Sequence, residues 1–235
     1  MAKGGGIMIL LDIGNTHTRI AESRGAAVTI LRTVPTAELA ADMIPAVEIA
    51  AASVAPWAAE RLKTLRIDYV NAANCRYPID FSLVDAVTLG ADRVANAVAA
   101  AEYYPLPALV VDCGSAITFE LVDARRRFLG GAILPGRALM RKALNTGTAQ
   151  LPEVPLAGAV PEHPGRNTAE AIRLGVDGGA LGMVREVCRR LSSGLELGSV
   201  VLTGGDAGFF APHFPDWSVA APEFTLQGIR LASGG

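Results

Sequence analysis

The chain has 235 residues, enough for one large domain or two small ones around a buried core. Hydrophobic residues make up 51%, which excludes a disordered chain. The 21 Lys+Arg nearly balance 23 Asp+Glu, and a formal net charge of −2 argues against nucleic acid as a partner. No apolar run approaches the roughly 20 residues of a membrane span, and residues 1–6 lack the apolar core of a secretory signal. Cys75, Cys113 and Cys188 are isolated, so neither a disulfide framework nor a zinc site is expected, and a reducing cytoplasm fits.

In chain order, residues 7–13 form a continuous apolar run that reads as a buried central strand. Short strands at 18–23 and 26–33 follow, joined by a turn at Arg24-Gly25. Thr36 is placed to cap a helix over 36–43. A strand over 47–54, a helix over 57–65 introduced by Pro56, and a strand over 67–71 complete a first half. A loop over 74–88 leads to a helix ending near Tyr103. Strands at 108–112, 117–123 and 128–133 then repeat the opening meander, and Arg125-Arg126-Arg127 reads as a solvated turn. A helix over 137–145 and a Gly- and Pro-rich loop over 146–164 come next. Asn167, with Glu170 three residues on, marks the start of a long helix. Its apolar face is expected to be Ile172, Val176, Ala180, Met183, Val187 and Leu191. A strand over 199–202, a short helix, a strand near 217–220 and a helix over 222–232 finish the chain.

Two stretches organise this pattern. Asp12-Ile13-Gly14-Asn15-Thr16 ends the first strand, and Asp112-Cys113-Gly114-Ser115 ends its counterpart 100 residues later. A lone turn of this type is usually structural, with Asp a local acceptor. Its recurrence at the matching point of two halves points to a shared cleft. Backbone N–H groups and the Thr16 and Ser115 hydroxyls can there donate to phosphate oxygens. Asp12 would act through Mg²⁺ and its waters, because a carboxylate repels phosphate directly, and Asp112 can hold a cation. Cys113 reads as a packed small side chain, not a nucleophile.

Three further segments carry both a functional and a structural reading. Gly130-Gly131-Ala132-Ile133-Leu134-Pro135-Gly136 is a strand in close contact with another backbone, or a plain strand-to-helix turn. In Thr203-Gly204-Gly205-Asp206-Ala207 the glycines let a loop lie against an anion at a helix start, or Asp206 simply caps that helix. In Gly90-Ala91-Asp92-Arg93, Asp92 is a candidate general base and Arg93 a ligand for an acceptor carboxylate or a transferred group. Otherwise Asp92 only favours the helix dipole and Arg93 makes a surface pair.

DIGNT, LGADR, DCGSAIT, GGAILPG, NTAEAIRLG and TGGDA, in this order, resemble the type III pantothenate kinases of the acetate and sugar kinase/Hsc70/actin superfamily. The resemblance implies a duplicated ribonuclease-H-like α/β fold, with βββαβα-type halves at 1–104 and 105–235 around a nucleotide cleft. It implies a cytoplasmic homodimer that phosphorylates the primary hydroxyl of pantothenate with ATP, the first step toward coenzyme A. Mg²⁺ and a monovalent cation, K⁺ or NH₄⁺, would assist. By motif, Asp12, Ile13, Gly14, Asn15, Thr16, His17, Thr18 and Arg19 would form the first phosphate loop. Ser115, Gly204 and Gly205 would also bind ATP, and Asp112 would take the monovalent cation. Gly90, Ala91, Asp92 and Arg93 would bind pantothenate, with Asp92 as proton acceptor. Thr168 would reach the pantothenate bound by a partner subunit, with Gly175, Gly178 and Gly179 near the dimer interface. Ser115 stands where the family usually has Thr, and Leu83 where a Tyr often contacts substrate. The alternative is a catalytically weak homologue that binds ATP as a regulatory or accessory protein, with a phosphohydrolase as a third reading.

Overall fold

The computed structural model describes residues 6–235, so the opening stretch expected to carry no secretory signal lies almost wholly outside the described residues. Two five-stranded sheets share one topology. In the first, β1 (Ile7–Ile13), β2 (His17–Arg24) and β3 (Ala27–Pro35) form an antiparallel meander, and β4 (Glu48–Ser53) and β5 (Asp68–Tyr69) extend it in parallel beyond β1. A short helix α1 (Pro56–Ala59) joins β4 to β5, and α2 (Ala91–Tyr103) follows. The second sheet repeats the plan with β6 (Ala108–Cys113), β7 (Ala116–Val122), β8 (Phe128–Pro135), β9 (Ser199–Thr203) and β10 (Ser218–Val219). Helices α3 (Arg137–Thr146), α4 (Thr168–Arg173), α5 (Gly179–Leu191), α6 (Ala207–Phe210) and α7 (Phe224–Ala232) complete it. This is the duplicated ribonuclease-H-like fold that the motifs imply.

Strand parity sets what faces what, because successive side chains leave a strand on opposite sides. On β1, Ile9, Leu11 and Ile13 pack outward with Leu39, Ala58 and Leu62. Met8 and Leu10 pack the other way, against Val94, Val98, Leu226 and Ile229 of α2 and α7. On β6, Leu109, Val111 and Cys113 meet Ala180, Val184 and Phe210, whereas Ala108 and Val110 meet Ala99, Ala100 and Phe224. Helices α2 and α7 therefore lie between the sheets. Asp12 shares the parity of Met8 and Leu10, and Asp112 that of Ala108 and Val110. Both aspartates thus belong to the faces turned toward α2 and α7.

Small side chains let these layers approach. A Cβ on Gly228 would lie 1.9 Å from the Ala95 carbonyl oxygen, so α7 can sit against α2 only with glycine there. On Gly131 it would lie 1.6 Å from the Phe119 oxygen, which decides the glycine strand in favour of close backbone contact with β7.

Several expected elements differ. Residues 36–43 form two isolated 3₁₀ turns instead of a helix. The Thr36 hydroxyl makes no cap; it donates to the Gly14 oxygen and meets the Thr18 hydroxyl, while the Thr36 N–H donates to the Thr16 oxygen. The segment is thereby tied to the first aspartate turn. The helix expected over 57–65 is α1 followed by a single 3₁₀ turn, and the strand over 67–71 shrinks to two residues. The long helix contains a π turn, Leu174–Gly178, between α4 and α5. Along α5, Val184 and Cys188 are the buried residues after Ala180; the expected Val187 and Leu191 are partly buried against the same core, while Met183 is not part of it. Asn167 does cap α4, accepting the Glu170 N–H at 3.0 Å.

Gly228→Ala should lower unfolding free energy by roughly 1–3 kcal/mol, the cost of overpacking a filled contact. Urea denaturation checks this, and an unchanged midpoint would mean that α7 can move off α2.

Candidate active site

A cleft of about 610 Å³ opens between the two sheets, lined by both aspartate turns, Asp92 and the Gly204-Gly205-Asp206 loop. Each turn is closed by its glycine, and the first is one residue longer. The Gly14 N–H donates to the His17 oxygen at 3.1 Å, and the Gly114 N–H to the Ala116 oxygen at 3.0 Å. Across the cleft the Thr16 and Ser115 hydroxyls meet at 2.8 Å. The second turn is braced from two sides. The Gly136 N–H donates to the Ser115 oxygen, and the Asp206 N–H to the Cys113 oxygen. Gly204 has φ +90, and a Cβ there would fall 2.4 Å from Asp112 Oδ1, so only glycine lets this loop lie on the aspartate.

The equivalent aspartates have unlike surroundings. Asp12 pairs in register with Arg19, which donates from Nε and Nη2 to Oδ2 at 2.9 and 2.7 Å. Asp112 pairs with Thr118 and gains no cation there. Its Oδ2 instead accepts from Asn96 Nδ2 at 2.9 Å. Burial raises the Asp112 pKa, Asp12 adds to the rise, and the Asn96 amide opposes it.

Asp92 stands in the first turn of α2, its carboxylate accepting the Arg93 N–H at 2.8 Å. Burial pushes its pKa up to about 6, with the Asp112 charge adding and the Arg93 amide opposing. The Cys113 thiol is also pushed up, by burial first and Asp112 second, so it is no nucleophile.

Not every residue expected in the cleft lines it. Asp12, Gly14, Asn15, Thr16, His17, Arg19, Asp92, Asp112, Ser115, Gly204 and Gly205 do. Ile13 and Thr18 are buried, Ile13 in the outer core and Thr18 against Thr36. Gly90, Ala91 and Arg93 do not line it. The Arg93 guanidinium is held by Glu120 Oε1 and the Phe119 oxygen, each at 2.9 Å, and burial pushes the Glu120 carboxyl up to about 8 against the pull of Arg93. Thr168 lines a separate apolar groove of about 670 Å³ with Met140, Leu144, Ile172, Gly175 and Val176. Leu83 is exposed and outside the cleft wall.

The sequence profile of the type III pantothenate kinases matches residues 8–190. The chain belongs to that family. The type III pantothenate kinase of Akkermansia muciniphila is 35% identical over 243 residues, covering 96% of this chain and 98% of its own. That of Methylacidiphilum infernorum is 31% identical over 240 residues, covering 95% of this chain and 87% of its own. Among solved structures, a Campylobacter jejuni protein described as a Baf family transcriptional activator superposes with a TM-score of 0.63 at 23% identity, covering 94% of this chain and 95% of that one. Component A of the Acidaminococcus fermentans (R)-2-hydroxyglutaryl-CoA dehydratase superposes at 0.55 with 12% identity, covering 97% and 96%. At these identities the structural likeness is one of fold. The stretch matching the type III pantothenate kinase profile holds both aspartate turns, Asp92 and Thr168, while Gly204 and Gly205 lie beyond it.

Sequence reasoning missed a buried ion cluster behind the cleft. Asp206 does not cap α6 with its side chain. Its carboxylate takes Arg137 Nε and Nη2 at 2.7 and 2.6 Å, and the same guanidinium lies 3.4 Å from the Phe209 ring centroid. Arg137 Nη1 continues to Asp177 Oδ1 at 3.0 Å, and Arg141 Nη2 meets Asp177 Oδ2 at 2.5 Å. Asp177 belongs to the π turn and is 0% exposed. The charged Asp177 interrupting an apolar helix face was the available signal.

Asp177→Asn would leave the buried Arg141 without a counter-charge and Arg137 with Asp206 alone. It should cost roughly 3–5 kcal/mol, the usual effect of removing one partner from a buried ion pair. Urea unfolding monitored by tryptophan fluorescence tests this, and a loss below about 1 kcal/mol would mean that water reaches the cluster.

Proposed function

We propose that the cleft transfers the γ-phosphoryl group of ATP to the primary hydroxyl of pantothenate, giving 4'-phosphopantothenate, the first step toward coenzyme A. Family membership supports both the kinase activity and this acceptor. One observation carries the mechanistic reading. Asp92 lines the same cleft as the paired phosphate turns, with its pKa raised to about 6. A base for an alcohol must be ionised near neutral pH yet still attract a proton, and a pKa near 6 meets both needs.

In this reading, the N–H groups and hydroxyls of Asn15, Thr16 and Ser115 hold the ATP phosphates, with Gly204 and Gly205 forming the opposite wall. Holding donor and acceptor in line supplies much of the catalysis for a phosphoryl transfer with a loose transition state. The pantothenate oxygen attacks the γ-phosphorus, its proton passes to Asp92, the bond to the β-phosphate oxygen breaks, and ADP leaves. Gly90 and Ala91 shape the approach to Asp92, and Arg93 acts beside it through its hold on Glu120 and β7.

Among the described residues no three His, Cys, Asp or Glu side chains come together as a ready metal cage. That suits Mg²⁺, which keeps several waters and binds mainly to phosphate oxygens. Asp12 fits an outer role, because only Oδ2 is committed to Arg19. Asp112 fits a monovalent cation such as K⁺ or NH₄⁺. It is a buried carboxylate whose register partner is Thr118 where the first half has Arg19, and its Oδ1 faces the side-chain-free Gly204. When bound, these ions neutralise charge on the phosphates.

Residues 1–104 and 105–235 act as two halves, although α7 packs back on β1 and α2 of the first. The chain works as a cytoplasmic homodimer, and no helix among the described residues is long and apolar enough to cross a membrane. The open groove around Thr168 and Gly175 faces a second copy, which brings Thr168 to the partner's pantothenate. The ATP-binding accessory alternative gains no support, since a site without turnover has no use for three carboxylates lining one cleft at an electrostatic cost.

Asp92→Asn should lower kcat by roughly 10²–10⁴-fold. In the wild type, kcat/KM should fall as pH drops below about 6, and the variant should lose that limb. The raised pKa means that the folded state favours the protonated form. Its stabilising contribution is present below the unfolded carboxylate pKa and is lost as pH rises through about 6. The variant should therefore gain melting temperature over wild type above pH 6 and not at pH 4. Normal turnover of Asp92→Asn in a coupled ADP-release assay would remove Asp92 from the mechanism. Asp112→Asn should abolish the response to K⁺, and a wild-type response would assign the cation elsewhere.

A further inference from the structure

We infer that Asn96 is a positioning residue that aims Asp112 at the cleft and ties the cation site to the helix that carries Asp92. Asn96 is fully buried and lies one turn after Asp92 on α2, so both side chains leave the same face of that helix. Its Nδ2 donates to Asp112 Oδ2 at 2.9 Å, and its Oδ1 accepts from the Thr225 hydroxyl at 2.8 Å. Thr225 is buried on α7 and also lines the cleft.

The direction of this chain follows from its chemistry. An ionised carboxylate only accepts, so the amide must turn its NH₂ toward Asp112, and the opposite flip would set two oxygens against each other. Thr225, free to donate, fixes that orientation from behind. Thr225 in turn depends on Gly228 one turn later, whose missing side chain lets α7 lie against Ala95, the neighbour of Asn96. With Oδ2 held by the amide, Asp112 is left with Oδ1, which faces Gly204 and the cleft. Arg19 performs the matching task for Asp12, but as a cation it also neutralises its partner. A neutral amide orients the second aspartate without discharging it, so its charge remains available to a ligand.

The role given to Asn96 rests on the reading of Asp112 as the ligand of the monovalent cation, and the test separates the two. K⁺ is titrated against choline at constant ionic strength. Two readouts are followed: activity, and the K⁺-induced rise in melting temperature with ADP and Mg²⁺ present. Asn96→Ala should move both K⁺ midpoints up by roughly 10-fold or more, the usual effect of losing a residue that orients a metal ligand. The KM for ATP at saturating K⁺ should stay within about threefold, because the amide does not touch phosphate. Thr225→Val, nearly isosteric, should shift the midpoints in the same direction by a smaller factor. It decides the matter alone if Asn96→Ala fails to fold. Wild-type midpoints in the folded variants, with the K⁺ response lost in Asp112→Asn, would overturn the role of Asn96 and leave the cation site standing. A wild-type K⁺ response in Asp112→Asn would instead overturn the site, and the inference with it.

Discussion

Bringing two aspartates of like charge into one partly dehydrated cleft is the constraint on which the rest of this structure depends. It follows from strand parity. Asp12 and Asp112 occupy equivalent points on equivalent central strands, and each belongs to the face turned toward α2 and α7. Asp92 is brought into the same space from α2. Like charges at short range in a medium less polarisable than water raise one another's pKa. Both Asp92 and Asp112 show that rise, with burial as the larger cause and neighbouring carboxylates adding to it.

The fold answers each charge differently, and the differences divide the labour. Asp12 receives a guanidinium that reaches on to the Pro222 oxygen, so it is neutralised and anchored to the second half. Asp112 receives only an amide. Asp92 receives one backbone N–H from the next residue. Asp92 has its pKa raised to about 6, which suits proton transfer. Asp112, oriented by a neutral amide, is suited to attract a cation. The same electrostatic cost therefore yields three unlike groups from one residue type.

Much of this was legible in the sequence, and what was missed has physical causes. Alternating and continuous apolar runs disclosed both meanders, and the repeated Asp-x-Gly turn disclosed the duplication, because these signals are local and periodic. The helix expected over 36–43 failed because Thr36 spends its hydroxyl on Gly14 across 22 residues, a tertiary bond that no local pattern reports. Ile172, Val176 and Ala180 were read correctly on the long helix, but its π turn and the buried Asp177 within it were not, because the two arginines that bond Asp177 lie 36 and 40 residues away. Arg93 was read as a ligand for the acceptor or as half of a surface pair, because Glu120, its buried partner, stands 27 residues away on another element. Composition shows that charges exist, whereas only the fold shows which are already engaged.

Duplication explains why the cleft is symmetric in backbone yet asymmetric in chemistry. The glycine N–H closes both the Asp12 and Asp112 turns, and each turn supplies one of the two facing hydroxyls, Thr16 and Ser115, although the first turn is one residue longer. A strictly symmetric pair would treat both ends of a triphosphate alike, although only one end reacts. Divergence is concentrated at the residue opposite each aspartate, Arg19 in one half and Thr118 in the other. Exchanging a guanidinium for a hydroxyl at that point removes a built-in positive charge while sparing the strand pairing, since both residues fit an antiparallel ladder. On the proposed reading, that exchange opens the second turn to a mobile cation without disturbing the scaffold. The asymmetry that phosphoryl transfer requires comes from a few side chains set on two nearly identical frames.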